Sequence, residues 1–215
     1  MNAFANTFLL VYAALFPIVN PVGSAPLFLG LTRFVGEAQR AGLAFRVARN
    51  CFLLLLGSLF VGSHVLEFFG ISLPVLRIGG GLVVTSFGWK LLNDNPPEPR
   101  REAASAAAPE PDSFYPLTMP LTVGPGSISV AITLGSQRPK QINLEHLALL
   151  GGAAVTGLIA IAVTIYVCYR FAERLVAFLG PSGTNVVVRL SAFILLCIGI
   201  QILWSGLSEL IALPR

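Results

Sequence analysis

Long apolar runs separated by short charged intervals set the pattern of this chain. No Asp, Glu, Lys or Arg occurs in residues 1–32, 50–66, 113–137, 146–169 or 190–208. A helix needs roughly 20 apolar residues to cross a bilayer core, and most of these runs reach that length. The pattern predicts six spans, at 5–32, 43–67, 71–93, 114–137, 144–170 and 185–211. The third carries Arg77 near its start and Lys90 near its end; the sixth runs from Arg189 to Glu209. Between the third and fourth lies NDNPPEPRREAASAAAPEPD, whose Pro, Ala and charge read as a flexible extramembrane linker.

Composition agrees with the pattern. Only 11% of residues are charged and 55% are hydrophobic, with a mean hydropathy of +0.79. Soluble domains carry about 25% charged residues, so this chain could not cover its own surface in water. It reads as a polytopic integral membrane protein. The net charge of +4 does not point to nucleic acid, because the basic residues flank the apolar runs. Ten of the 14 Lys and Arg fall on one side of the six-span arrangement. The positive-inside rule makes that side cytoplasmic. A bacterial inner membrane location with both termini periplasmic is therefore expected. MNAFANTFLL lacks the basic start of a cleavable signal, so the first helix is expected to remain in the mature protein. Cys51, Cys168 and Cys197 stand singly in apolar runs and read as packing residues rather than metal ligands or a disulfide framework.

The two halves of the chain echo one another. PIVNPVGS at 17–24 has a counterpart in PLTVGPGS at 120–127, and FFGISLPVLRIGGGL at 68–82 in FLGPSGTNVVVRLSAFI at 178–194. A repeat of three spans must insert its second copy upside down, as recurs in secondary transporters. The expected fold is thus an all-α polytopic membrane protein. Its six transmembrane helices form two inverted three-helix repeats, with spans one and four broken. Residues 1–93 form the first repeat, 94–112 a cytoplasmic linker, and 113–215 the second repeat.

The breaks supply the candidate site. As one straight helix, residues 1–32 would measure about 48 Å, against a hydrocarbon core of about 30 Å. Proline removes a backbone hydrogen bond and crowds the preceding turn. Asn20-Pro21-Val22-Gly23 and Val123-Gly124-Pro125-Gly126 should therefore each end one half-helix and begin another. A half-helix starting at membrane depth aims free N–H groups and partial positive charge inward, which suits a carboxylate. The half-helix that ends there offers carbonyls to a cation. Ser24, Thr118, Thr122, Ser127, Ser129 and Thr133 bring hydroxyls to the same region. The expected substrate-binding residues are Asn20, Pro21, Gly23, Ser24, Thr122, Gly124, Pro125, Gly126 and Ser127. Arg77 and Arg189 are symmetry-related intramembrane charges, read either as gating or charge-partner residues or as side chains that snorkel to the interface. With no paired intramembrane Asp, no Ser-His pair in matching helices, no HExxH and no Walker loop, an enzyme is not expected.

These residues carry a family resemblance. NPVGSAP at 20–26 resembles the NPxGxxP signature of the MarC family of bacterial integral membrane proteins, and PLTVGPGSI at 120–128 resembles its PLxxGPGxI signature. ISLPVLRIGGG at 71–81 and RLSAFILLCIGIQILWSGL at 189–207 are similar to further family segments. Ser127 stands where the family pattern has alanine and Ala192 where it has glycine. The resemblance implies a six-span inner-membrane protein with an inverted repeat, akin to LysE-type amino-acid exporters and classed with neutral amino-acid transporters. The expected activity is alternating-access transport of a small zwitterion. No cofactor is expected beyond a possible Na⁺ coupling ion, which hydroxyl and carbonyl ligands would suit. The expected partners are the lipid bilayer and a small-molecule substrate, with a second copy of the chain as a further candidate. A channel and a non-transporting scaffold or stress-response protein remain rival readings.

Overall fold

A computed structural model of the chain describes residues 3–93, 112–136 and 144–212. All but one residue of the 94–112 linker lies outside the described residues, as do Arg100, Arg101, Arg138, Lys140 and Arg215 from the orientation count. Regular structure among the described residues is entirely helical. The helices are α1 (Ala3–Val19), α2 (Pro21–Leu31), α3 (Glu37–Phe68), α4 (Leu73–Asn93), a π-helical segment (Leu117–Thr122), α5 (Pro125–Ser136), α6 (Leu144–Arg170) and α7 (Ala172–Ala212).

By length and composition, α3, α4, α6 from Ala148 onward, and α7 could each cross a membrane, and α1 with α2 make a fifth span if taken as one bent pair. The pattern predicted six. The difference lies at the fourth, where the π-helical segment has 6 residues and α5 has 12, so neither piece has spanning length by itself. Helix α3 also starts earlier than the expected 43. Gly36 precedes it in extended backbone, and Glu37 in its first turn complements the partial positive charge of the helix start. The earlier start therefore brings Arg40 into the helix ahead of the expected span.

Two glycines turn the chain ahead of the arginine-bearing helices. Gly70 has φ +66° and Gly180 φ +65°, a region that side chains with a Cβ disfavour. The first separates α3 from α4; the second splits α7 into pieces at 172–179 and 181–212.

Helices α4 and α7 form the most extensive contact of the fold and run antiparallel. Small residues repeat every seven positions along the seam: Pro74, Gly81 and Gly88 on α4, and Ala192, Gly199 and Gly206 on α7. A Cβ at Gly81 would lie 2.6 Å from the Leu203 nitrogen, one at Gly88 2.7 Å from the Leu196 nitrogen, and one at Gly206 2.7 Å from the Pro74 carbonyl. Backbone therefore lies directly on backbone. In lipid, where apolar burial gives little advantage, such close approach is what holds helices together.

The rest of the bundle interlocks the two halves of the chain. Helix α1 packs on α6, α3 on α5 and α6, α2 on α6 and α7, and α5 on α3 and α4. Leu15, Leu55, Leu117, Leu158 and Ile161 are fully enclosed between these layers. Large apolar side chains also cover the outside, among them Val61, Leu82, Ile159, Val163, Phe193 and Ile200. Helices apolar on both their inner and outer faces belong in a membrane.

Candidate functional site at the second helix break

The two breaks that look alike in sequence differ in build. At the first, only Asn20 leaves the helical path. Its backbone is left-handed (φ 48°, ψ 55°), a conformation asparagine tolerates better than most residues. Helical hydrogen bonding nearly continues across it, from the Asn20 N–H to the Phe16 carbonyl and from the Ser24 N–H to the Asn20 carbonyl, each 2.9 Å. The Asn20 side chain accepts from the Gly23 N–H at 3.2 Å, and Pro21, lacking an N–H, leaves the Pro17 carbonyl without its helical donor. The outcome is a 41° bend.

The second break is deeper. Met119 lies outside helical backbone (φ −119°, ψ 126°), and the chain closes wide turns instead, with the Val123 N–H bonded to the Thr118 carbonyl at 2.9 Å. Pro125 then opens α5 at the first helical position, where its missing N–H costs nothing. Gly124 and Ser127 close a local ring: the Gly124 N–H donates to Ser127 Oγ at 3.1 Å, and that hydroxyl donates to the Gly124 carbonyl at 3.0 Å.

A cavity of about 70 Å³ lies at this second break. Pro120, Leu121, Thr122, Gly124, Pro125, Gly126 and Ser127 line one wall. Val83, Val84 and Phe87 of α4, Leu195 of α7 and Ile18 of α1 complete the lining. Of the nine expected site residues, the structure brings five to this cavity: Thr122, Gly124, Pro125, Gly126 and Ser127. Asn20, Pro21, Gly23 and Ser24 stand elsewhere. Gly23 is wedged between its own cap, Asn20, and Ser191 of α7. Ser24 is buried beside Tyr169.

Tyr169 is the residue sequence reasoning missed. It is fully buried on α6, stacked on Phe28 of α2 with ring centroids 4.3 Å apart. Its hydroxyl lies 2.7 Å from Thr122 Oγ1, which itself donates to the Leu117 carbonyl at 2.7 Å. Thr122 has one hydroxyl proton, already given to Leu117, so Tyr169 is the donor to Thr122. The second break is thereby tied to α6, and through Phe28 to the first broken span. The only sequence signal was a hydroxyl-bearing aromatic at the end of a charge-free run.

The two arginines lie away from the cavity. Arg77 pairs with Glu209 across one end of the α4–α7 seam, the arginine partly buried and the glutamate nearly half exposed. Arg189 is exposed on α7, with no ion pair among the described residues. A second charged cluster was not expected. Arg40 pairs with Glu173 and donates to the Val35 carbonyl at 3.0 Å, and Arg170 pairs with Glu37 at 3.2 Å. These crossed pairs join the start of α3 to the α6–α7 junction. No group of His, Cys, Asp or Glu among the described residues could hold a metal ion.

A family model described as MarC family integral membrane protein matches residues 5–211. The chain belongs to the MarC family. Among its relatives, the UPF0056 inner membrane protein MarC of Salmonella typhimurium (strain LT2) is 30% identical over 204 residues, covering 92% of each chain. The protein of that name in Citrobacter koseri is 30% identical over 206 residues, and that in Escherichia coli O1:K1 29% over 204, each with 92% of both chains covered. No solved structure matches this chain. Membership and the apolar helices make this MarC-family chain a membrane protein, and its relatives carry the name of inner membrane proteins.

Proposed function

We propose that this MarC-family protein is a secondary transporter for small zwitterionic solutes, with neutral amino acids as the substrate class. The observation that carries the reading is the cavity at the start of α5. The first-turn N–H groups of a helix have no intrahelical acceptor, and Gly126 and Ser127, both in that turn, line the cavity. They offer a carboxylate hydrogen bonds and partial positive charge. The hydroxyls of Thr122 and Ser127 are already engaged with protein partners, so the rest of the wall is mostly apolar, as a small aliphatic side chain requires. At 10–15 Å³ per water-sized position, the cavity holds about five to seven such positions. That space suits the smallest amino acids, glycine and alanine.

In this reading the π-helical segment and α5 together form a further crossing, giving six spans in two inverted repeats with both termini periplasmic. Support comes from the contacts. Each broken span packs on helices of the opposite half, and each half turns at a left-handed glycine before its arginine-bearing helix. Access alternates between the two sides of the membrane, and Na⁺ couples through carbonyls freed at the breaks, such as that of Pro17.

The test is counterflow in proteoliposomes loaded with unlabelled alanine. Saturable uptake of radiolabelled alanine, stimulated by Na⁺ over K⁺, is the expected result. Flux linear in concentration without counterflow would mean a channel. An absence of flux together with no thermal stabilisation by any amino acid would leave the scaffold reading standing.

A further inference from the structure

Partly buried hydroxyls in this bundle often turn back onto their own helix. Ser58 donates to the Leu54 carbonyl, Thr85 to Gly81 and Thr164 to Ala160, at 2.7 Å in each case. Ser129 and Thr133 do not. Both hydroxyl oxygens are buried with no hydrogen-bond partner, and Ser129 is only 1% exposed. An unpartnered buried hydroxyl costs about 1–3 kcal/mol, so two on one short helix call for a reason.

Their placement supplies it. Gly126, Ser129 and Thr133 follow one another at three- and four-residue steps and so share one face of α5. That face meets α4. A Cβ at Gly126 would lie 1.8 Å from Val84 Cγ2, and one at Gly80 would lie 2.3 Å from Ser129 Oγ. The α4–α5 contact therefore begins at the cavity, with Val84 and Gly126. It next passes the Gly80–Ser129 narrowing, and Thr133 lies one turn further along the same face of α5. Glycine at position 80 is what leaves the Ser129 hydroxyl its place between the helices.

We infer that the α4–α5 seam is the path by which a small polar solute passes between the cavity and the side of the membrane that holds the α3–α4 turn. Gly80 and Ser129 form its constriction. Ser129 and Thr133 are the hydroxyls that replace water around the solute on the way. The inference rests on the transport reading and adds to it a route, its narrowest point and the side it serves.

Thiol accessibility in cells tests it without knowledge of the substrate. In a background lacking Cys51, Cys168 and Cys197, single cysteines are placed at 127, 129 and 133 and treated with a membrane-impermeant cationic methanethiosulfonate. Phe69→Cys, in the exposed α3–α4 turn, reports the side being probed. Ile200→Cys, on the apolar exterior, is the lipid-facing control that should stay unmodified. Modification of Ser129→Cys and Thr133→Cys from the Phe69 side is expected. Gly80→Ala should slow modification of Ser127→Cys from that side at least tenfold while leaving Thr133→Cys at its own rate. If Gly80→Ala does not assemble, Ser129→Val narrows the same point from α5. Absence of modification at 129 and 133, modification only from the opposite side, or an unslowed Ser127→Cys would overturn the inference. Seam cysteines that react in a protein giving no counterflow would refute the transport reading and leave the seam intact. Counterflow with unreactive seam cysteines would do the reverse.

Discussion

Gly199→Ala should loosen the whole bundle, although it adds one methyl group. That Cβ would lie 2.5 Å from the Thr85 nitrogen, 2.6 Å from Thr85 Oγ1 and 2.9 Å from Thr85 Cα. An ordinary contact needs at least 3.4 Å, so α4 and α7 must part by about 0.9 Å. Two of the three atoms met are backbone and cannot rotate away. A gap of that size forfeits a quarter to a half of each neighbouring dispersion contact, along the most extensive helix pairing in the fold. Overpacking of this kind costs about 1–3 kcal/mol. At about 2–4 °C per kcal/mol for a chain of this length, the melting midpoint of the purified protein in detergent should fall by about 2–12 °C. Gly152→Ala is the matched control, since nothing lies within 4 Å of the added atom and the residue faces outward on α6. Alanine there should be neutral or stabilise by about 0.5–1 kcal/mol through helix propensity alone. Fluorescence-detected size exclusion after a temperature ramp reads both variants. Equal midpoints for Gly199→Ala and Gly152→Ala would refute the claim that backbone contact at this seam holds the fold.

Three further outcomes follow from the site. Asn20→Gly should be milder than Asn20→Ala in the same melting assay: alanine meets a left-handed penalty of about 1–2 kcal/mol, and loss of the cap adds roughly 1 kcal/mol. Tyr169→Phe keeps the Phe28 stacking and loses one buried hydrogen bond, about 0.5–1.5 kcal/mol. Tyr169→Ala also empties the ring's volume and should cost several times more, so similar midpoints for the two would argue against the stacking as a tie. Gly126→Ala, whose Cβ meets Val84, should lose expression or stability, and Val84→Ala in the same chain should restore most of the loss; no rescue would mean that the α4–α5 approach is not set by this pair.

The sequence carried the apolar segments and the places where they break, because both follow from local chemistry: apolar length fixes a span, and proline after Asn20 or Gly124 fixes an interruption. Arg77 was legible as a charge needing an explanation. Its partner was not, since Glu209 lies 132 residues away and hydropathy records nothing about pairing. The same limit hid Tyr169, whose bond to Thr122 joins residues 47 apart. The difference between the two breaks was hidden for another reason. Similar Pro-Gly motifs give a bend where a left-handed asparagine nearly preserves the helical ladder, and a wide π-helical turn where Pro120 and Pro125 both interrupt it. Which of them opens a cavity depends on what packs behind it.

The heptad of small residues between α4 and α7 also bears on how the molecule could move. One helix comes from each half of the chain, and their backbones touch without side chains to act as a cushion. Sliding or tilting one past the other would drive peptide groups into each other within a fraction of an ångström. Rocking the two halves as separate blocks about that line, one way for the paired repeats of secondary transporters to exchange access, would have to open this contact. The transport reading then places any change in which side sees the cavity on the short piece that lines it, α5, pivoting at Gly124 while the α4–α7 pair stays closed.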